Sequence, residues 1–77
     1  MANYIPRPRP GFLDKLERLR RSGPPRWRDR EQGLLFEYDP LHGHVEGYNL
    51  RGRHIGVFDA ITGERVAAAK KGRRIDV

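Results

Sequence analysis

The stretch Phe36-Glu37-Tyr38-Asp39-Pro40-Leu41-His42-Gly43-His44-Val45-Glu46-Gly47-Tyr48 constrains the fold more than any other part of the chain. Residues 42, 44, 46 and 48 share one parity, so in a strand His42, His44, Glu46 and Tyr48 project from one face. Asp39 and Pro40 form a short link that folds the chain back as a hairpin. With Pro40 and Leu41 as the turn, Asp39 lies across from His42, Glu37 from His44 and Phe36 from Val45. One face of the ribbon then carries carboxylates and imidazoles, and the other is apolar. Solvated sheet faces usually carry Lys, Thr and Ser. Two imidazoles, three carboxylates and a phenol so close together point to proton transfer or to a metal.

A chain of 77 residues makes one domain with a thin core. With no cysteine, neither a disulfide nor a thiolate metal site reinforces it. No apolar run approaches a membrane span, and no signal-peptide segment follows Met1, so the expected place of action is the cytoplasm, with no membrane partner. The formal charge is +6, and arginine outnumbers lysine thirteen to three, which favours planar, bidentate phosphate contacts over simple solubilisation. Nucleic acid is the partner this composition favours.

The charge is unevenly placed. Residues 1–30 carry +6 and residues 51–77 carry +4, whereas residues 31–50 hold four acids and no Lys or Arg. A pure nucleic-acid binder with an acidic centre would repel phosphate there. A nuclease uses such a centre, because its flanks hold the backbone while a carboxylate near the cut takes a proton.

In chain order, residues 1–10 form an extended, polyproline-like Pro/Arg arm, poorly ordered alone. Phe12, Leu13, Leu16 and Leu19 stand at helical spacing, which predicts a short amphipathic helix over 11–22, ended by Gly23-Pro24-Pro25. Trp27, between two arginines, reads as a core residue in preference to a base-stacking one. Strands are expected at Leu34–Asp39, Gly43–Leu50, Arg53–Asp59 and Arg65–Ala67, with turns at Arg51-Gly52 and at Ala60–Gly63. The basic tail, 70–77, can dock as an edge strand. No internal repeat and no phosphate-cradling glycine motif stand out. The expected class is α+β: residues 11–77 form a single domain, a small, highly twisted antiparallel meander over about 34–77 preceded by one N-terminal helix.

The ordered set of motifs resembles the cytotoxic ribonuclease domain of the ribosome-cleaving colicins and of cloacin. The matching elements are Arg26-Trp27, Phe36-Glu37-Tyr38-Asp39 and His42-Gly43-His44-Val45-Glu46-Gly47-Tyr48. They continue through His54-Ile55-Gly56-Val57-Phe58-Asp59, Thr62-Gly63 and Arg73-Arg74-Ile75, over residues 26–77. The resemblance implies a toxin that cuts 16S ribosomal RNA in the decoding centre and stops translation. It places the family's catalytic Asp, His, Glu and Arg on Asp39, His42, Glu46 and Arg73. His44 stands where the family usually has a second acid, and the loop at Arg51-Gly52 is one residue shorter.

The residues fit that chemistry without a cofactor. A carboxylate base and an imidazolium acid bracket neutral pH, since free His titrates near 6.5 and free Glu near 4.3. Glu46 is assigned as general base and His42 as general acid, oriented by Asp39, with Arg73 over the phosphoryl oxygens. Tyr48, His54, His44 and Arg74 are the candidate substrate contacts. Two other readings use the same residues: a metal-dependent nuclease with His42, His44, Glu46 and Asp39 as ligands, and a non-catalytic RNA-binding module. The expected partners are the ribosome with its 16S rRNA, and an acidic immunity or antitoxin protein that restrains the toxin. The chain fits a stand-alone antitoxin-paired toxin and equally the end of a larger secreted one.

Overall fold

Turn chemistry sets the architecture. Asp29, Asp39 and Asp59 are each followed four positions later by glycine, at Gly33, Gly43 and Gly63. In each loop the glycine N–H donates to the aspartate C=O, at 2.9, 2.8 and 2.9 Å respectively. The three glycines sit at φ of 66, 70 and 79°, in the left-handed region where a side chain is strained. Each aspartate carboxylate also accepts loop amides: Gln32 on Asp29, Leu41 on Asp39, and Ile61 and Thr62 on Asp59. The chain therefore does contain a repeat, at the level of its hairpin turns.

The computed structural model describes residues 3–77. These turns connect β2 (Trp27–Asp29) to β3 (Leu34–Asp39), β3 to β4 (His44–Asn49), and β5 (His54–Asp59) to β6 (Arg65–Ala68), while a turn over residues 49–53 leads from β4 into β5. With β1 (Glu17–Arg18) they form one six-stranded antiparallel meander in chain order. The expected strands at 34–39, 43–50, 53–59 and 65–67 are found within a residue at each end. Trp27, Phe36 and Val45 lie on one face and form the core with Leu13 and Ala60; Phe12, Leu16, Tyr38 and Phe58 pack around it. Trp27 is a core residue, with the Arg7 and Arg18 guanidinium groups 5.0 and 5.6 Å from its ring centre.

The helix expected over 11–22 is not formed, and the protein is mostly antiparallel sheet with almost no helix. Phe12–Lys15 make a single 3-10 turn, Leu16 is extended, and Glu17 and Arg18 pair with Arg28 and Trp27. A helix this short, hemmed by Gly11 and by Gly23-Pro24-Pro25, is marginal. Pairing along β2 satisfies the backbone and covers an otherwise open edge. Phe12 and Leu13 reach the core without helical spacing. The sheet consequently begins at Glu17, before the expected start near residue 34.

The Pro/Arg arm, expected to be poorly ordered alone, is docked against the hairpin and the 3-10 turn. Ile5 N–H donates to Pro40 C=O (2.8 Å), the Tyr38 hydroxyl donates to the Ile5 carbonyl (2.8 Å), and Arg7 pairs with Asp14 at 2.9 Å. Met1 and Ala2 lie outside the described residues. At the other end, Arg74 bridges Arg53, and His54 N–H donates to Arg73 C=O at 3.0 Å. The tail then runs to Arg26, which donates to the Asp76 carbonyl and carboxylate (2.7 and 3.0 Å).

Candidate active site

The β3–β4 hairpin has a different register from the one expected of a two-residue turn. The loop holds four residues, Pro40–Gly43, so Asp39 faces His44, Glu37 faces Glu46 and Phe36 faces Gly47. The Asp-to-Gly turn enforces this length. Cross-strand partners share a face, so the polar face is built in rows: Leu35, Tyr48 and His54; then Glu37, Glu46 and Val57; then Asp39, His44 and Asp59. His42 is carried by the turn at the end of this face, outside the strand row in which it was expected.

Glu37 opposite Glu46 sets two carboxylates side by side, and an arginine answers each. Arg26 lies 2.8 Å from Glu37, and Arg73 lies 2.9 Å from Glu46 Oε1. Burial alone lowers the Arg26 pKa, but the carboxylates of Glu37 and Asp76 outweigh it and raise it above the usual arginine value. Arg26 thereby ties the tail that supplies Arg73 to the strand facing Glu46.

Glu46 is almost fully buried, and its second partner is His54. Lys70 N–H donates to His54 Nδ1 (2.9 Å), so Nε2 carries the proton and donates to Glu46 Oε1 (3.0 Å). Both His54 and Arg73 reach Glu46 at Oε1. His54 is 2% exposed and Tyr48 2%, so neither offers a surface to a substrate, contrary to their assignment as contacts. Parity puts Tyr48 on the polar face, but it does not say which part of that face the tail covers. His54 fixes Glu46 from behind. Burial pushes the Tyr48 phenol pKa up, while neighbouring Arg73 opposes the shift.

At the rim, Asp39 Oδ1 accepts the Leu41 amide (3.0 Å) and Oδ2 accepts His42 Nδ1–H at 2.6 Å. Burial alone raises the Asp39 pKa; the bonds from His42 and Leu41 outweigh it and hold the carboxyl below the ordinary range. An ionised Asp39 only accepts, so it fixes the proton on Nδ1 and leaves His42 Nε2 free to exchange one. The His42 side chain is 71% exposed. His44 is exposed between Asp39 and Asp59.

Asp39, His42, His44, Glu46 and Arg73 line one cavity of about 330 Å³, with Lys70 and apolar side chains of β5 and β6 completing it. Arg74 lies outside it, on a neighbouring cleft. Sequence reasoning missed Lys70 and the Arg26 clamp. Nothing in the sequence marks Lys70, whereas the repeated Asp-to-Gly spacing was a visible signal for the true register. Among the described residues no three His, Asp or Glu side chains converge as a metal site.

A family model described as Cytotoxic matches residues 8–76. Cloacin of Escherichia coli is 29% identical over 85 aligned residues, which cover 95% of this chain and 15% of cloacin's own length. The match runs from within the Pro/Arg arm through the tail that carries Arg73, and the chain belongs to the Cytotoxic family of colicin-like toxin domains.

Proposed function

We propose that this domain is an endoribonuclease that cuts 16S rRNA in the ribosomal decoding centre, without metal, by attack of a ribose 2′-hydroxyl. One observation carries the reading: buried Glu46, paired with Arg73, opens on the same cavity as the Asp39–His42 pair. A base, a cation and an acid in one cavity meet the needs of phosphodiester transesterification. Glu46 Oε2 takes the 2′-hydroxyl proton as that oxygen bonds to phosphorus. Arg73 balances charge on the non-bridging oxygens, and His42 Nε2 protonates the departing 5′-oxygen. The products are a 2′,3′-cyclic phosphate and a 5′-hydroxyl. Tyr48 and His54 hold Arg73 and Glu46 in place, and His44 lines the substrate cavity.

Glu46→Gln and His42→Ala each lower the cleavage rate by about 10²–10⁴-fold and leave RNA binding nearly unchanged. The rate follows a bell in pH, losing its acidic limb in Glu46→Gln and its basic limb in His42→Ala. Primer extension across the decoding centre of intact ribosomes reads the cut. Cleavage abolished by EDTA, or surviving a 2′-deoxy nucleotide at the cut, would overturn the mechanism. Cutting elsewhere in the RNA would overturn the target.

A domain of this kind needs restraint in the cell that makes it, and its basic surface favours an acidic immunity protein. Delivery as part of a larger secreted toxin fits the small share of cloacin that it matches. The tagged domain is expected to co-purify from its host with an acidic protein. Co-purification of ribosomes alone, with no toxicity on free expression, would sink the inhibitor.

A further inference from the structure

Beside the active-site cavity lies a second cleft of about 430 Å³, bordered by Arg53, Lys70, Lys71 and Arg74 and by no carboxylate. The active-site cavity, the cavity beside Trp27 and the one beside Glu17 all contain acids. None of the four cations pairs with a carboxylate among the described residues. Arg53 and Arg74 are moreover partners in an antiparallel bridge. Backbone bonds on both sides hold that register, His54 N–H to Arg73 C=O (3.0 Å) and Ile75 N–H to Gly52 C=O (2.8 Å). Like charges set directly opposite each other destabilise a sheet, and an anion between them removes the penalty.

We propose that this cleft is a phosphate subsite, holding a phosphodiester of the RNA strand next to the one to be cut; the proposal rests on the ribonuclease reading. Paired guanidinium groups suit phosphate oxygens. Lys70 borders both cavities, so a strand crossing the active site continues into the cleft. The Lys70 amide also holds His54, which holds Glu46, so the two sites share one support. An acidic protein would need a broad surface, and a concave cleft this small suits a single phosphate better.

The test uses a 2′-O-methylated single-stranded oligoribonucleotide, which 2′-hydroxyl attack cannot cut, titrated by fluorescence anisotropy at several salt concentrations. For Arg53→Gln/Arg74→Gln the salt slope falls by about 1.4, the contribution of two counterions, and low-salt affinity drops about tenfold. Lys15→Gln/Arg20→Gln removes equal charge elsewhere and changes the slope by about half as much or less. The melting temperature of the Arg53/Arg74 variant matches or exceeds the parent's, because a like-charge contact is gone. Equal slopes for the two variants would reduce the cleft to general surface charge and overturn the subsite. Loss of fold stability alongside binding, or unchanged RNA affinity with weakened binding of an acidic inhibitor, would overturn it too. The probe is never cleaved, so a parent protein that binds it but leaves the 16S rRNA of intact ribosomes uncut overturns the ribonuclease reading, while the anion-binding cleft stands.

Discussion

Gly47 couples the two faces of the sheet at a single residue. It follows Glu46 in β4, and a Cβ there would run into the Phe58 ring and press on Phe36. Those rings stack edge to face with centres 5.4 Å apart, and Phe36 meets Phe12 in the same way at 5.1 Å. Gly47→Ala therefore overpacks the core and lowers stability by about 1–3 kcal/mol, read as a fall in melting temperature. An unchanged melting temperature would mean that the rings have room to yield. Other residues show the limits of reading parity alone. The alternation correctly puts His44, Glu46 and Tyr48 on one face, but only His44 of the three is exposed. Burial turns Glu46 into a group whose contacts are all specified, and it turns His54 into a support.

Among the elements, the C-terminal tail depends most on distant contacts. Its sequence reads as a basic end that can dock as an edge strand, with Arg73 as one tail charge among several; family resemblance alone singled Arg73 out. The tail is held by the bridge to Arg53, by Arg26, which spans Glu37 and Asp76, and by Arg21, which also pairs with Asp76. Arg26→Ala leaves Glu37 facing Glu46 without its cation and frees the tail. The expected cost is about 3 kcal/mol, the low end for a buried pair because water still reaches Glu37. Cleavage should fall as Arg73 loosens, and amide exchange at His54 and Ile75 should quicken. Unfolding in urea and exchange measurements check this; a tail that stays protected would show that the bridge and Arg21 hold it without Arg26. Arg26→Lys should not rescue, since an ammonium cannot fork between two carboxylates. The missing helix follows similar logic: its apolar spacing was legible, but the open edge of β2 was not.

Across the whole molecule, the carboxylates act as fasteners for a cationic chain. Asp14, Glu17, Asp39, Asp59 and Asp76 are all held below the ordinary carboxylate range by arginine, histidine or amide donors. Depressed folded-state values mean that the unfolded chain binds more protons in acid. The stabilisation is therefore complete above the unfolded values, and it is lost as pH falls through the folded ones. Urea midpoints should be flat from pH 7 to about 5 and fall steadily below about 4. A midpoint unchanged down to pH 3 would show that these contacts contribute little. The strands, the turns after Asp39 and Asp59, the apolar core position of Trp27 and the acidic centre between basic flanks were all legible in the chain, because alternation, glycine placement and charge are local properties. The hairpin register was legible too, had the repeated Asp-to-Gly spacing been weighed above the Pro40–Leu41 pair. What the chain could not disclose was the path of its two ends. The arm against Pro40, the edge pairing of Glu17–Arg18 and the tail between Arg53 and Arg26 each depend on which hydrogen-bonding groups and charges the folded sheet leaves unsatisfied, and those exist only once the strands are paired.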